Sequence, residues 1–185
     1  MTGKANLAGF EKYFATGGLP ELGPGPRREV LPHEQLDKPL EKLLAETPLP
    51  TTARDLIRAL ILLWHDRLDA AHAIAQGIED ADGSFVHGIV HRRQRDYGNA
   101  KYWFRRVGSH PAFPQIADRV GELPSVENNG ALRDELIPHS EWDAFAFIDW
   151  CEKSASKPAT DPQVKLLRMI QGIESQVLLE YFLNS

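Results

Sequence analysis

From Pro50 onward the apolar residues of this chain fall at helical spacing, and no other feature constrains its fold as strongly. Ala53, Leu56, Ile57, Leu60, Ile61 and Trp64 recur at intervals of three and four behind a Thr52–Asp55 capping pair. Leu62 and Leu63 fill the opposite side, which predicts a helix covered on most faces. An alanine-rich segment over residues 70–78, capped by Asp69, continues the pattern. A third helix starts at Gly83-Ser84 and carries Phe85, Val86, Ile89 and Val90. A fourth opens at Asp96 with Ala100, Phe104 and Val107, and stops at Gly108 behind Arg105 and Arg106. A short helix follows Pro114, and residues 121–138 read as loop with a turn at Asn128-Asn129-Gly130. Ser140 with Asp143 caps a helix rich in aromatics, and Asp161-Pro162 starts a long closing helix to about Leu183. No segment alternates with the period of a strand. The chain therefore reads as all-α, built of antiparallel helical hairpins.

Seven of the 13 prolines lie in the first 50 residues, with Gly17-Gly18 and Gly23-Pro24-Gly25-Pro26 between them. That stretch reads as a proline-rich arm with two short helical segments, residues 7–15 and a second after Asp37. Its leucines and aromatics need cover, so the arm is expected to pack on a single helical domain over residues 51–185. A chain of 185 residues fits one domain and can bury about 70% of the surface its unfolded form exposes. The lone cysteine, Cys151, excludes an internal disulfide and sits among apolar neighbours as a core thiol. The longest apolar run, Ala59 to Trp64, has six residues against the ~20 needed to span a bilayer. A soluble cytoplasmic protein with no membrane partner is expected.

Between Phe85 and Pro111 the sequence resembles the tetratricopeptide and Sel1-type helical repeats. Gly88 supplies the small residue of the first helix, Ala100 and Phe104 the Ala-x3-aromatic step of the second, and Pro111 the terminal proline. Ala59 and Ala71 precede Gly88 and Ala100 by 29 residues each, which suggests a preceding degenerate hairpin. The resemblance covers about residues 51–113, a third of the chain, and its spacing is shorter than the usual ~34. It implies a helical binding module.

The histidines carry the clearest chemistry. His87 and His91 are four apart and share one side of a helix, opposite Phe85, Ile89, Val86 and Val90. His72 belongs to the preceding helix, which a hairpin stack places beside them. Three imidazoles with an open fourth position suit zinc or another first-row metal; the alternative is a set of histidines hydrogen-bonded within a helix interface. No cofactor is expected beyond such a divalent transition metal ion. The run Leu62-Leu63-Trp64-His65-Asp66 also resembles the signature of the HD phosphohydrolases, all-α enzymes that hold metal through His and Asp. That resemblance implies His33, His65 and Asp66 as ligands, with Asp134, Asp143 or Asp149 as the distal carboxylate and hydrolysis as the reaction. A helix end, with imidazole and carboxylate serving as local caps, is the competing use of His65-Asp66.

Charge supplies the last reading. The net charge of -5 conceals a local +5 over residues 92–106, where Arg92, Arg93, Arg95, Lys101, Arg105 and Arg106 stand against Asp96 alone; the remainder carries -10. An acidic protein with one basic segment repels long nucleic acids. Periodicity turns Phe104 inward and leaves Arg92, Arg95, Lys101 and Arg105 outside, as a solvated face or paired with acidic neighbours. A groove lined by Arg92, Arg93, Trp103 and Arg106 is the expected site for a peptide or small anionic ligand. A metal-dependent hydrolase is the competing function.

Overall fold

The computed structural model describes residues 7–185. Among the described residues there is no strand, and eleven α-helices account for the architecture. The arm holds α1 (Leu7–Glu11) and α2 (His33–Glu46). Two hairpins follow, α3 (Thr51–Trp64) with α4 (Leu68–Ala75) and α5 (Ala81–Arg93) with α6 (Tyr97–Val107). Then come α7 (Phe113–Gly121), α8 (Pro124–Glu127), α9 (Gly130–Leu136), a single 3-10 turn at Pro138–Ser140, α10 (Ala144–Lys153) and α11 (Pro162–Leu183). The expected all-α hairpin arrangement and long closing helix are both present.

Capping chemistry explains most boundaries. Asp80 accepts from the Gly83 amide at 2.8 Å and starts α5 two residues before Gly83. Asp96 accepts from Asn99 at the start of α6, and Asp143 receives the Phe145 and Ala146 amides at 2.9 Å to start α10. Asp161 does the same for α11, with Pro162 preorganised at the first position. Gly108, at φ +61°, ends α6 in a conformation that favours glycine.

Several boundaries differ from expectation. Helix α3 starts on the carbonyl of Pro50 at Thr51, so the Thr52–Asp55 pair does not cap it. Helix α4 starts at Leu68, placing Asp69 inside the first turn, where its charge favours the dipole. Helix α2 begins at His33 rather than after Asp37, because the Pro32 carbonyl accepts from both Gln35 and Leu36. Helix α1 is cut to one turn when the Tyr13 and Phe14 amides bond back to Phe10 and Glu11. The segment 121–138 is not a loop. Asn129, expected in a turn, caps α9 by accepting from the Leu132 amide at 3.2 Å, and Val126, Leu132 and Leu136 are buried.

Phe10, Tyr13, Phe14, Leu22, Leu36, Leu40 and Leu44, all before α3, join the same core as the hairpins. At the centre lies α5, buried at every position from Gly83 to Arg93. It touches α3, α4 and α6, and reaches α11 through a side-chain bond. Against α6 the approach is close. A Cβ on Gly88 would come within 2.7 Å of two ring carbons of Phe104.

A helix buried all round cannot carry charge without partners. Arg92 meets Glu174 of α11 through both terminal guanidinium nitrogens, and its flat face lies 4.5 Å from the Phe147 ring centroid. Arg93 donates to the carbonyls of Leu63 and Gly23 and to Asp66 Oδ1 at 2.6 Å. The basic segment is thus split. Arg92 and Arg93 are core ion pairs, Lys101 pairs with Asp149, and Arg95, Arg105 and Arg106 are exposed.

Two outcomes follow for unfolding measurements. Gly88→Leu drives a side chain into Phe104 and should lower stability by about 1–3 kcal/mol; an unchanged midpoint would contradict the packing. Glu174→Gln leaves the Arg92 charge buried without its counter-ion and should cost about 3–5 kcal/mol, whereas Arg92→Met with Glu174→Leu should recover most of that loss.

Candidate metal centre

The seam between the two hairpins gathers three imidazoles. His87 and His91 lie one turn apart on α5 with rings stacked at 4.8 Å, and His72 of α4 presents its ring edge-on at 4.6 Å from His87 and 5.2 Å from His91. One ring nitrogen from each residue lies within 4.8 Å of the others. His87 is 4% exposed and His91 8%, while His72 is half-buried at the outer edge. The expected cluster is present, with two of its members buried.

The partners of each ring differ. Asn99 Nδ2 stands 3.2 Å and 3.3 Å from the two nitrogens of His91, which puts the amide over the ring face rather than in line with either lone pair. Asp96 Oδ2 lies 3.9 Å from His91 Nδ1. His87 is covered by the indole of Trp103, stacked at 3.9 Å and 23°. Neither of its ring nitrogens has a hydrogen-bond partner, although both are buried. A buried polar group without a partner costs on the order of 1–3 kcal/mol. Burial first, then the neighbouring His91 and His72, push the His87 pKa down from the ordinary 6.5 to about 4. Burial and His72 also lower His91, against a smaller opposing effect of Asp96. Both rings are therefore neutral at pH 7 and keep lone pairs, the form in which imidazole binds metal.

The donor set fits a tetrahedral ion. With Zn–N bonds of about 2.0–2.1 Å, donor nitrogens sit roughly 3.4 Å apart. Reaching that spacing closes any pair of donor nitrogens by at most about 1.4 Å, through rotation of the half-exposed His72 and of the stacked His87 and His91 rings together.

The other expected sites are not assembled. Arg92 and Arg93 point into the core with their guanidinium groups engaged, so they cannot line a groove with Trp103 and Arg106. Trp103 belongs to the histidine seam instead, and Arg106 lies 5.3 Å from its ring centroid at the surface. His33 is exposed and pairs with Asp37 in its own helix. His65 spends Nδ1 on the Leu31 amide and Nε2 on the Tyr13 carbonyl. Asp66 spends one oxygen on Arg93 and the other on the backbone and side chain of Arg27. His33, His65 and Asp66 therefore form no ligand set, since the last two are locked in the clamp that holds the arm. Asp143 caps α10, Asp149 pairs with Lys101, and Asp134 is exposed. The Cys151 thiol is buried and pushed up to about 12 by that burial, as a core thiol should be.

Asp96 and Asn99 are site neighbours that sequence reasoning missed. Their three-residue spacing signals a helix cap, and only the tight turn back from α5 brings that cap onto His91. Comparison with protein-family models, curated proteins and solved structures gives no match.

His87 gives a pH prediction for the metal-free protein. Its folded pKa lies below its unfolded value, so its contribution is complete above about 6.5 and is lost as pH falls toward about 4. Stability should decline through that window and then level for this group. His87→Phe keeps a ring against Trp103, removes two orphaned nitrogens, and should hold or raise the neutral-pH melting temperature while flattening the acid slope. A clear drop in stability at neutral pH would show that the ring has a structural partner.

Proposed function

We propose that this protein binds a divalent first-row transition metal ion, zinc best, through His72, His87 and His91 at the seam between α4 and α5. One observation carries the reading: His87 is buried, neutral and without a hydrogen-bond partner, in a cluster of three imidazoles. An orphaned buried group calls for an explanation, and a bound ion is one that three converging imidazoles can supply. Three neutral nitrogens without a thiolate suit zinc, copper(II) or nickel(II) better than magnesium or calcium, which prefer oxygen. The centre ties α4 to α5, so a bound ion braces one hairpin against the next.

Three protein ligands leave a fourth position, and the half-exposed His72 turns it toward solvent. Metal bound there supplies Lewis acidity and a water of lowered pKa, the chemistry of hydrolytic centres. On this reading Trp103 covers one face of His87, and Asp96, 3.9 Å from His91 Nδ1, is the carboxylate placed to orient His91 for its ligand role.

Elemental analysis and competition titration test the proposal. One zinc ion per chain is expected, with Trp103 fluorescence responding to loading because its indole lies on a ligand ring. At a hundredfold excess over Kd the ion should stabilise the fold by about 2.7 kcal/mol. Alanine at any of the three histidines should abolish stoichiometric binding, whereas His33→Ala should leave it intact. Absence of specific binding, or binding that survives His87→Ala, would overturn the reading. Hydrolysis of activated phosphate or carboxylate esters by the loaded protein, lost in His72→Ala, would mark the centre as catalytic rather than bracing.

A further inference from the structure

A cavity of about 380 Å³ opens where the arm, the α5–α6 turn and the α10–α11 connection meet, within the size range of small-molecule sites. Gly23 and Gly25 form one wall, Arg95 and Tyr97 a second, and Ser154 and Lys157 a third. Its one lining carboxylate, Glu21, is paired with Arg168 at 3.2 Å.

Arg95 is the informative residue. It follows the C-cap of α5 at φ +63°, a position where glycine or asparagine is at ease and other residues are strained. Asp66 stands in the same position after α3, at φ +59°, and there the side chain has a visible use: its carboxylate receives Arg27 and Arg93. The Arg95 guanidinium has no such engagement, because no hydrogen bond or ion pair holds it among the described residues. It lies along Gly23, where a Cβ would come within 3.1 Å of its Nε and Nη2, so the glycine makes room for it.

The other donors are partly free. Lys157 Nζ donates to Gln163 Oε1 at 2.7 Å and lies 3.7 Å from Asp161, a distant partner that leaves much of its charge unspent. The buried Ser154 hydroxyl accepts from Gln163 Nε2 at 2.8 Å and keeps its own proton to donate. A guanidinium fork, an ammonium and a hydroxyl around one cavity match a compact anionic group.

We propose that this cavity binds a small organic anion through its phosphate or carboxylate group, with Arg95 and Lys157 as the recognising cations. The basic segment thus serves an anion through Arg95, while Arg92 and Arg93 serve the core. The site does not depend on the metal centre, since it shares no residue with the histidine cluster.

The test is calorimetric or NMR titration of the metal-free 185-residue chain with inorganic phosphate, phenyl phosphate and succinate. A single saturable site is expected for at least one probe, weakening as salt rises because both cations reach solvent. Arg95→Gly suits the backbone conformation, so it should hold or raise the melting temperature while lowering affinity about tenfold. Lys157→Gln should weaken binding similarly, and His87→Phe should leave it unchanged. Comparison of phenyl phosphate with succinate assigns the headgroup. No saturable binding of any probe in the millimolar range would overturn the proposal, as would binding unaffected by both substitutions.

Discussion

The organisation of this protein depends on burying a charged helix end. Helix α5 is enclosed on all sides, yet its last turn carries two adjacent arginines. Their positive charge suits the C-terminal dipole, but burial would be prohibitive without counter-charges. Glu174 neutralises Arg92 and ties α5 to α11. Asp66 neutralises Arg93 and receives Arg27 as well, tying α5 and the end of α3 to the arm. Arg27 then extends to the carbonyls of Gly18 and Trp64, while Arg93 reaches those of Leu63 and Gly23. One carboxylate thereby fixes where three segments meet. Apolar packing alone could slide by a turn, but these pairs hold only one register.

This arrangement sets what a reader of the sequence can and cannot see. The helices are legible because periodicity and capping are local: Asp96 and Asp161 begin helices where the pattern puts them, while Asp80 caps α5 ahead of Gly83-Ser84 and Asp143 caps α10 without Ser140. The packing of Gly88 on α6 was legible too, because a small residue opposite an Ala-x3-Phe step implies close approach. The histidine seam followed from the same logic, since four-residue spacing and hairpin adjacency are both sequence-level facts. Charge was the failure. A guanidinium in a list of basic residues looks the same whether it faces solvent or a carboxylate 82 residues away. Sequence alone places Arg92 and Arg93 in a groove because their partners, Glu174 and Asp66, carry no local signal. The two short helices within 121–138 were missed for a related reason: asparagine and glycine mark turns and caps alike, and only the buried Val126, Leu132 and Leu136 decide between them.

Buried polar groups on α5 fall into two kinds. The arginine charges are each met by a carboxylate, although Arg92 Nε is left without a partner, and their work is structural. His87 has a partner at neither of its two ring nitrogens, so its ring as a whole is left unpaired. The same fold that supplies a carboxylate for each buried guanidinium supplies none for this ring, only an indole face and two further imidazoles. An aromatic residue would pack there at less cost. A metal ion bound there, as proposed, would offset that cost.

The arm's glycines record what it leans on. A Cβ on Gly25 would come within 2.7 Å of the Asp66 carboxyl carbon, and one on Gly23 would press on Arg95. The arm can lie across the ends of α3 and α5 only with backbone at those two places. It therefore does two things with one contact: it shields the Asp66 clamp from water, strengthening the ion pairs beneath it, and it walls the cavity that Arg95 faces. Any anion held by Arg95 would rest against the same stretch of arm that the clamp positions. Loosening Asp66 would then disturb that cavity through the arm, while the histidine seam, built on α4 and α5 without any arm residue, would be touched only through α5 itself.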